Sequence, residues 1–275
     1  MLVSEYTEYD ALGLAELVAN GDISAEELVD CAEQQYHSKN PTLNAVVTPM
    51  WAQAREALRD SLPTGLFHGV PMPLKDLGQY YQGVVTSNGS RLFADNIADH
   101  DSTLVQRYKA AGLVLSGKTN TPEFGLATTT EPVLHGPTRN PWSIDHSTGG
   151  SSGGAAAAVA AGIFPVAHAS DGGGSIRIPA SCCGLFGLKP TRGRVPLGPS
   201  AVEGWGGLST THVISRSVRD SAALLDISAG PEPGSPYHAP YSSVSFSSAL
   251  QLPPQPLRFG LCLESFNGAD VAEEV

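Results

Sequence analysis

The residues best able to do chemistry in this sequence lie in two glycine- and serine-rich loops and in one apolar segment upstream of them. Ser175 follows three successive glycines in the run Asp171-Gly-Gly-Gly-Ser175-Ile-Arg177-Ile-Pro-Ala180. Glycine opens backbone conformations closed to other residues, and with no side chains in the way adjacent N–H groups can face one concave nest. An oxyanion hole needs such a nest, and the serine that ends it can attack a carbonyl whose oxygen the nest holds. A second loop, Gly149-Gly-Ser151-Ser-Gly-Gly154, lies upstream, with Ser151 24 residues before Ser175. Further upstream, the apolar Gly69-Val-Pro-Met-Pro-Leu74 segment delivers Lys75 and Asp76 at its end. Either loop alone reads as a glycine-rich turn with a surface serine. Both in this order, with Lys75 before them, point to nucleophilic chemistry.

Other motifs compete and lose on context. Gly112-Leu-Val-Leu-Ser-Gly117-Lys118-Thr119 fits the P-loop expression, but a P-loop needs a strand before its first glycine and a helix after its lysine. Here a helix precedes Gly112, and Leu113–Leu115 is itself read as the strand. Gly149-Gly-Ser151-Ser-Gly153 fits the nucleophile-elbow expression, and Asp226 and His238 follow it in the right order. The elbow requires an apolar strand leading into it, whereas Trp142 to Thr148 is polar and turn-like. The eight histidines show no metal spacing, so no metal is expected. His168 reads as a packed core residue. Cys182 and Cys183 read as small apolar side chains, and Arg192 and Arg194 as structural.

The elements that must position these residues alternate in type. Ser24-Ala-Glu-Glu27 has the capping-box form, and helical spacing runs from about Ala25 to His37. Helices are also expected over about Ala11–Ala19, Trp51–Leu62, Asp101–Ala111, Ala155–Ala161 and from Ser217 to about Ser228. Short strands are expected over Asn44–Thr48, Leu113–Leu115, Phe164–His168 and Leu257–Leu263, with Gly69–Leu74 extended. Helices alternating with short apolar strands make an α/β pattern. Residues 230–256, rich in proline and serine, read as a long surface loop, and Ala269–Val275 as the start of a helix.

Composition agrees with a globular chain. The 275 residues are 41% hydrophobic and 16% charged, with a net charge of -11. That acidic balance, with no basic block, argues against nucleic acid or an anionic membrane as partner. The N-terminus lacks the basic and apolar regions of a signal peptide, and the alanine-rich run from Ala155 to Val166 is too short to span a bilayer. The four cysteines form no C-x-x-C pair. These features lead to an expectation of a reduced, cytoplasmic protein.

Six blocks together resemble the amidase signature family. They are Pro71–Asp76, Gly117–Phe124, Gly136–Trp142, Gly149–Gly154, Asp171–Ala180 and Gly187–Arg194, in the family's order. Thr129-Thr-Glu131 and the Gly136–Trp142 block look closest to broad amidases and nylon-oligomer cyclic-dimer hydrolases. The resemblance implies an α/β fold with a mixed central sheet flanked by helices, spanning residues 1–275, and no cofactor. It places the nucleophile on Ser175, the catalytic lysine on Lys75, and the bridging serine, held by a cis peptide bond, on Ser151. The oxyanion hole falls on the N–H groups of Gly172, Gly173, Gly174 and Ser175, and Gly125 falls in the substrate cleft. Asp171 and Arg177 match an ion pair that supports the loop. Where the family often has threonine, this chain has Gly172, which is expected to loosen the loop slightly while keeping its N–H donor.

The resemblance implies hydrolysis of linear or cyclic carboxamides through a serine acyl-enzyme. The implied partner is a small-molecule amide. Chains of this family are usually far longer, so this one is expected to be an N-terminal part. Two other readings stay open: a truncated, non-catalytic fragment that needs a missing C-terminal half or a partner chain, as in a homodimer, and the A-type subunit of a glutamine-dependent amidotransferase.

Overall fold

A computed structural model describes residues 1–237, 239–253, 256–262, 265 and 268. The chain begins with a one-turn helix α1 (Val3–Tyr6) and α2 (Ala11–Ala19), whose first N–H groups find two different caps. Asp10 accepts from Gly13 N–H at 3.0 Å, and the buried Asp220 accepts from Ala11 and Leu12 N–H, both at 2.9 Å. A residue more than 200 positions away thus closes the helix end that local sequence leaves open. The Ser24 capping box forms as expected and starts α3 (Ala25–Leu43). This helix runs six residues past His37 and contains Pro41, and the Asn40 side chain ties its end to the next strand. Asn40 Oδ1 accepts from Ala45 and Val46 N–H, and Asn44 turns the chain at φ 51°.

Strand β1 (Val46–Pro49), helix α4 (Trp51–Arg59) and strand β2 (Pro71–Lys75) follow. Helix α5 (Thr103–Ala110) then crosses over to β3 (Val114–Thr119). Strand β3 lies between β1, antiparallel, and β2, parallel, so the sheet is mixed. Because β3 extends through Gly117-Lys118-Thr119, the P-loop match is the body of a strand. The buried Lys118 Nζ donates to Gln79 O at 2.6 Å and to Thr86 Oγ1 at 2.9 Å.

The segment read as polar and turn-like pairs as a small hairpin, β4 (Arg139–Asn140) and β5 (Ser143–Ser147), with β5 exposed. Beyond it come helix α6 (Gly153–Ala160), strand β6 (Val166–Asp171), helix α7 (Arg177–Cys182), β7 (Phe186–Gly187), β8 (Thr210–Ser215), helix α8 (Val218–Ser228) and a one-turn helix α9 (Phe246–Ala249). Strand β8 pairs antiparallel with both β6 and β7, and β6 packs beside β2. Apolar side chains from α2, α3, α5 and α8 form one core with those of β2, β6 and β8.

The carbonyls that end α8 are taken by Arg107 from α5, which reaches Ala229 O at 3.0 Å and Pro231 O at 2.8 Å. Asp226 holds the start of α9 through Phe246 and Ser247 N–H, so part of the expected loop is docked. No strand forms over residues 257–262. Leu257, Phe259 and Leu261 alternate, yet all three are exposed and find no ladder partner among the described residues. The expected helix at 269–275 lies outside those residues. Among them, no helix is long and apolar enough to cross a membrane.

Candidate active site

Strands β2 and β6 lie side by side and present Lys75 and Ser170 to one point. Lys75 ends β2 fully buried, and its Nζ donates to Ser151 Oγ at 2.7 Å and to Ser170 Oγ at 3.0 Å. Burial pulls the Lys75 amine down to about 7, against a smaller opposing pull from Asp171. At neutral pH a large fraction of it is therefore an uncharged amine able to accept a proton. Its backbone N–H donates to His168 Nδ1 at 3.2 Å. Burial also holds the His168 ring well below its usual range, so it stays neutral with its proton on Nε2. Sequence reasoning placed His168 in the core without this bond. Nothing local could have found it, because the bond joins residues 93 positions apart.

The peptide bond Gly150–Ser151 is cis, as the resemblance implied. The next residue, Ser152, ties this loop to the second one. Its N–H donates to Ser175 O at 3.2 Å, and its Oγ donates to Ser170 O and accepts from Ser170 N–H. The α6 helix starts immediately behind it and is packed by alanines that are fully buried. Small side chains let β2, β6 and α6 approach closely enough for the two loops to meet.

Asp171, at the end of β6, organises the glycine run. It accepts from Gly174 N–H at 2.7 Å and Ile176 N–H at 3.1 Å, and it pairs with Arg177 Nε at 2.9 Å and Nη2 at 3.0 Å. The Arg177 pair and the two N–H donors outweigh burial and hold its carboxyl below the usual range. Gly174, at φ 120°, sits where a side chain would strain the backbone. Its N–H is committed to Asp171, which corrects the sequence expectation of a free donor there. No hydrogen bond engages the N–H groups of Gly172, Gly173 and Ser175 among the described residues.

Asp171→Ala would strand three backbone donors, on Gly174, Ile176 and Arg177, and leave the Arg177 side chain unpaired. We expect a loss of about 2–3 kcal/mol in urea unfolding and a roughly 100-fold fall in turnover. Stability equal to the parent chain would show that the ion pair does not brace the loop.

Ser151 and Ser175 open onto one cavity with Gly125, Leu77, Phe124 and Trp205. It offers about 50 Å³ to water. Gly125 stands over Ser151, where an added Cβ would come within 3.2 Å of Oγ. No hydrogen bond links the two serine hydroxyls directly.

The alternatives fall away on geometry. Asp226 caps α9 and so does not serve Ser151, and His238 lies outside the described residues. No group of three or more His, Cys, Asp or Glu among the described residues could hold a metal. Cys183 packs buried as expected, but Cys182 is exposed, because it lies on the outer side of the last turn of α7.

The Amidase family model matches residues 27–275. A 6-aminohexanoate-cyclic-dimer hydrolase from Paenarthrobacter ureafaciens is 46% identical over 92% of this chain and 52% of its own. An acylamidase from Rhodococcus erythropolis is 40% identical over 87% of this chain and 51% of its own. A solved structure of 6-aminohexanoate cyclic dimer hydrolase complexed with substrate superposes with a TM-score of 0.88, at 46% identity over 92% of this chain and 53% of that one. The chain thus spans about half the length of the curated relatives it matches. A family match over most of its residues, carried by identity of this order, makes the chain a member of the amidase family.

Proposed function

We propose that the chain hydrolyses carboxamide C–N bonds through a covalent acyl-serine, with Lys75, Ser151 and Ser175 as the relay. The observation that carries this reading is the buried Lys75 amine, drawn down to about 7, at 2.7 Å from Ser151 Oγ and in the same site as Ser175. Neutral Lys75 takes the Ser151 proton, Ser151 takes the Ser175 proton, and Ser175 Oγ bonds to the amide carbon. The carbonyl oxygen, now an oxyanion, is met by the N–H groups of Gly172, Gly173 and Ser175; one such donor is typically worth about 3 kcal/mol. The C–N bond then breaks, and the relay returns its proton to the leaving amine. Water attacks the ester by the same route, releasing the acid and restoring Ser175. None of these steps calls for a cofactor.

Relatives named as cyclic-dimer hydrolase and acylamidase support a substrate class of linear or cyclic amides. The test is labelling of the 275-residue chain with a fluorophosphonate, read by peptide mass spectrometry. An adduct on Ser175 that is lost in Lys75→Ala is expected. Adduct formation at another residue, or none in folded protein, refutes the assignment.

A further inference from the structure

Trp205 is a bulky residue in the left-handed backbone region, at φ 52°, where side chains other than glycine rarely sit. Strain of this kind persists only where the surroundings fix it, and it gathers at functional sites. The surroundings here are specific. Trp205 is carried on Gly204-Trp-Gly-Gly207, a tight turn in which Gly204 O accepts from Gly207 N–H at 3.1 Å and from Ser209 N–H at 3.0 Å. The turn is anchored on one side by Tyr237, whose hydroxyl donates to Glu203 Oε2 at 2.5 Å, and on the other by the Arg192 side chain against Gly207. The indole is laid over the glycine nest. A Cβ built on Gly172 would come within 3.1 Å of Trp205 Cε3 and 3.5 Å of Cζ3. Trp205 nonetheless remains 55% exposed and lines the cavity that contains Ser151 and Ser175.

This contact gives a physical reason for the glycine at position 172. A Cβ there would press the indole edge back by a few tenths of an ångström and a longer side chain by more, so Gly172 seats Trp205 rather than merely loosening the loop. Across the cavity stands Phe124, also at positive φ (53°) and propped edge-on against Phe93. No residue lining the cavity is charged. Two aromatic walls, no charge and little free volume define a slot suited to an uncharged, unbranched chain beside the scissile carbonyl.

We propose that Trp205, seated on Gly172, is the specificity-determining wall of this site and selects amides whose acyl chain is neutral and unbranched next to the carbonyl. The role of the wall in acyl selection rests on the reading of Ser175 as nucleophile; the binding preference itself can be measured without turnover.

The experiment uses calorimetry on the Ser175→Ala chain with hexananilide and its α,α-dimethyl counterpart as probes. A preference of about tenfold for the unbranched anilide is expected, falling below about twofold when Trp205→Ala is added and retained with Trp205→Phe. Gly172→Thr is expected to weaken hexananilide at least fivefold with Trp205 present, and less than twofold in the Trp205→Ala background, the signature of a direct pair. Equal preference with and without Trp205, an equal Gly172→Thr effect in both backgrounds, or no binding of either anilide overturns the proposal. Fluorophosphonate labelling of the parent chain is scored separately, so failure of the nucleophile assignment is read apart from failure of the wall.

Discussion

Replacing Ser175 with alanine is expected to lower amide turnover by about 10⁴- to 10⁶-fold while leaving the thermal midpoint within a degree or two of the parent chain. The size follows from the route. With the hydroxyl gone no acyl-enzyme can form, and what remains is any acceleration from the nest acting on direct attack by water. The fold is spared because Ser175 is joined to its neighbours through its backbone carbonyl, which accepts from Ser152 N–H at 3.2 Å, and alanine keeps that carbonyl. Single-turnover measurements with an anilide, alongside a thermal melt, make the comparison. A variant that keeps more than a hundredth of the parent rate would require a different nucleophile.

Lys75→Met has two expected consequences of opposite sign. Turnover falls by about 10³-fold or more, because the relay loses its proton acceptor. In the parent chain kcat/KM rises with pH through an apparent pKa near 7, as the Lys75 amine becomes neutral, and this limb disappears in the variant. Stability moves the other way. The ordinary lysine value is 10.5 and the folded value about 7, so between these the unfolded chain holds a proton that the folded chain does not. Stability of the parent chain therefore rises with pH across that window and is lowest below pH 7, where the folded state bears the full cost of a buried ammonium, about 5 kcal/mol. Methionine removes that cost but leaves the Ser151 and Ser170 hydroxyls without their donor, each worth about 1 kcal/mol. The net expectation is a variant about 2–4 kcal/mol more stable than its parent at pH 6, with the gain shrinking by pH 9.5. Urea unfolding at the two pH values decides it, and a gain that is the same at both would show that the burial of Lys75 does not set its proton affinity.

A stabilising substitution at the centre of a site is the mark of strain held for function. The same economy runs through the surrounding residues. Lys118 is also buried and drawn down to about 8, yet it spends its amine on Gln79 O and Thr86 Oγ1 and has no serine to serve. Burial alone therefore does not make a relay. Lys75 differs because β2 ends beside β6 and beneath the Gly149–Gly154 loop, which brings two hydroxyls to its amine.

The parts of this protein that depend on near neighbours in the chain could be read from the sequence. The Ser24 capping box, the α2, α5, α6 and α8 helices, the extended delivery of Lys75 and the two loops around Ser151 and Ser175 are all set by spacing, caps and glycine content within a few residues. The six blocks in order carried the family. What could not be read is every contact whose partner lies far along the chain. The β4–β5 hairpin hides in a polar segment because β5 is exposed along its whole length and neither strand shows apolar alternation. Residues 257–262 alternate like a strand and are not one, since a ladder needs a partner and alternation only asks for it. The neutral ring of His168 behind Lys75, the second hydroxyl of Ser170 and the indole laid on Gly172 arise only when β2, β6 and the 203–209 turn meet. Sequence by itself chose the reactive groups, because chemistry is a property of residue type. The tertiary structure decided which of them are dry, which are paired and which face the open cavity, because desolvation and hydrogen-bond geometry depend on neighbours that only packing supplies.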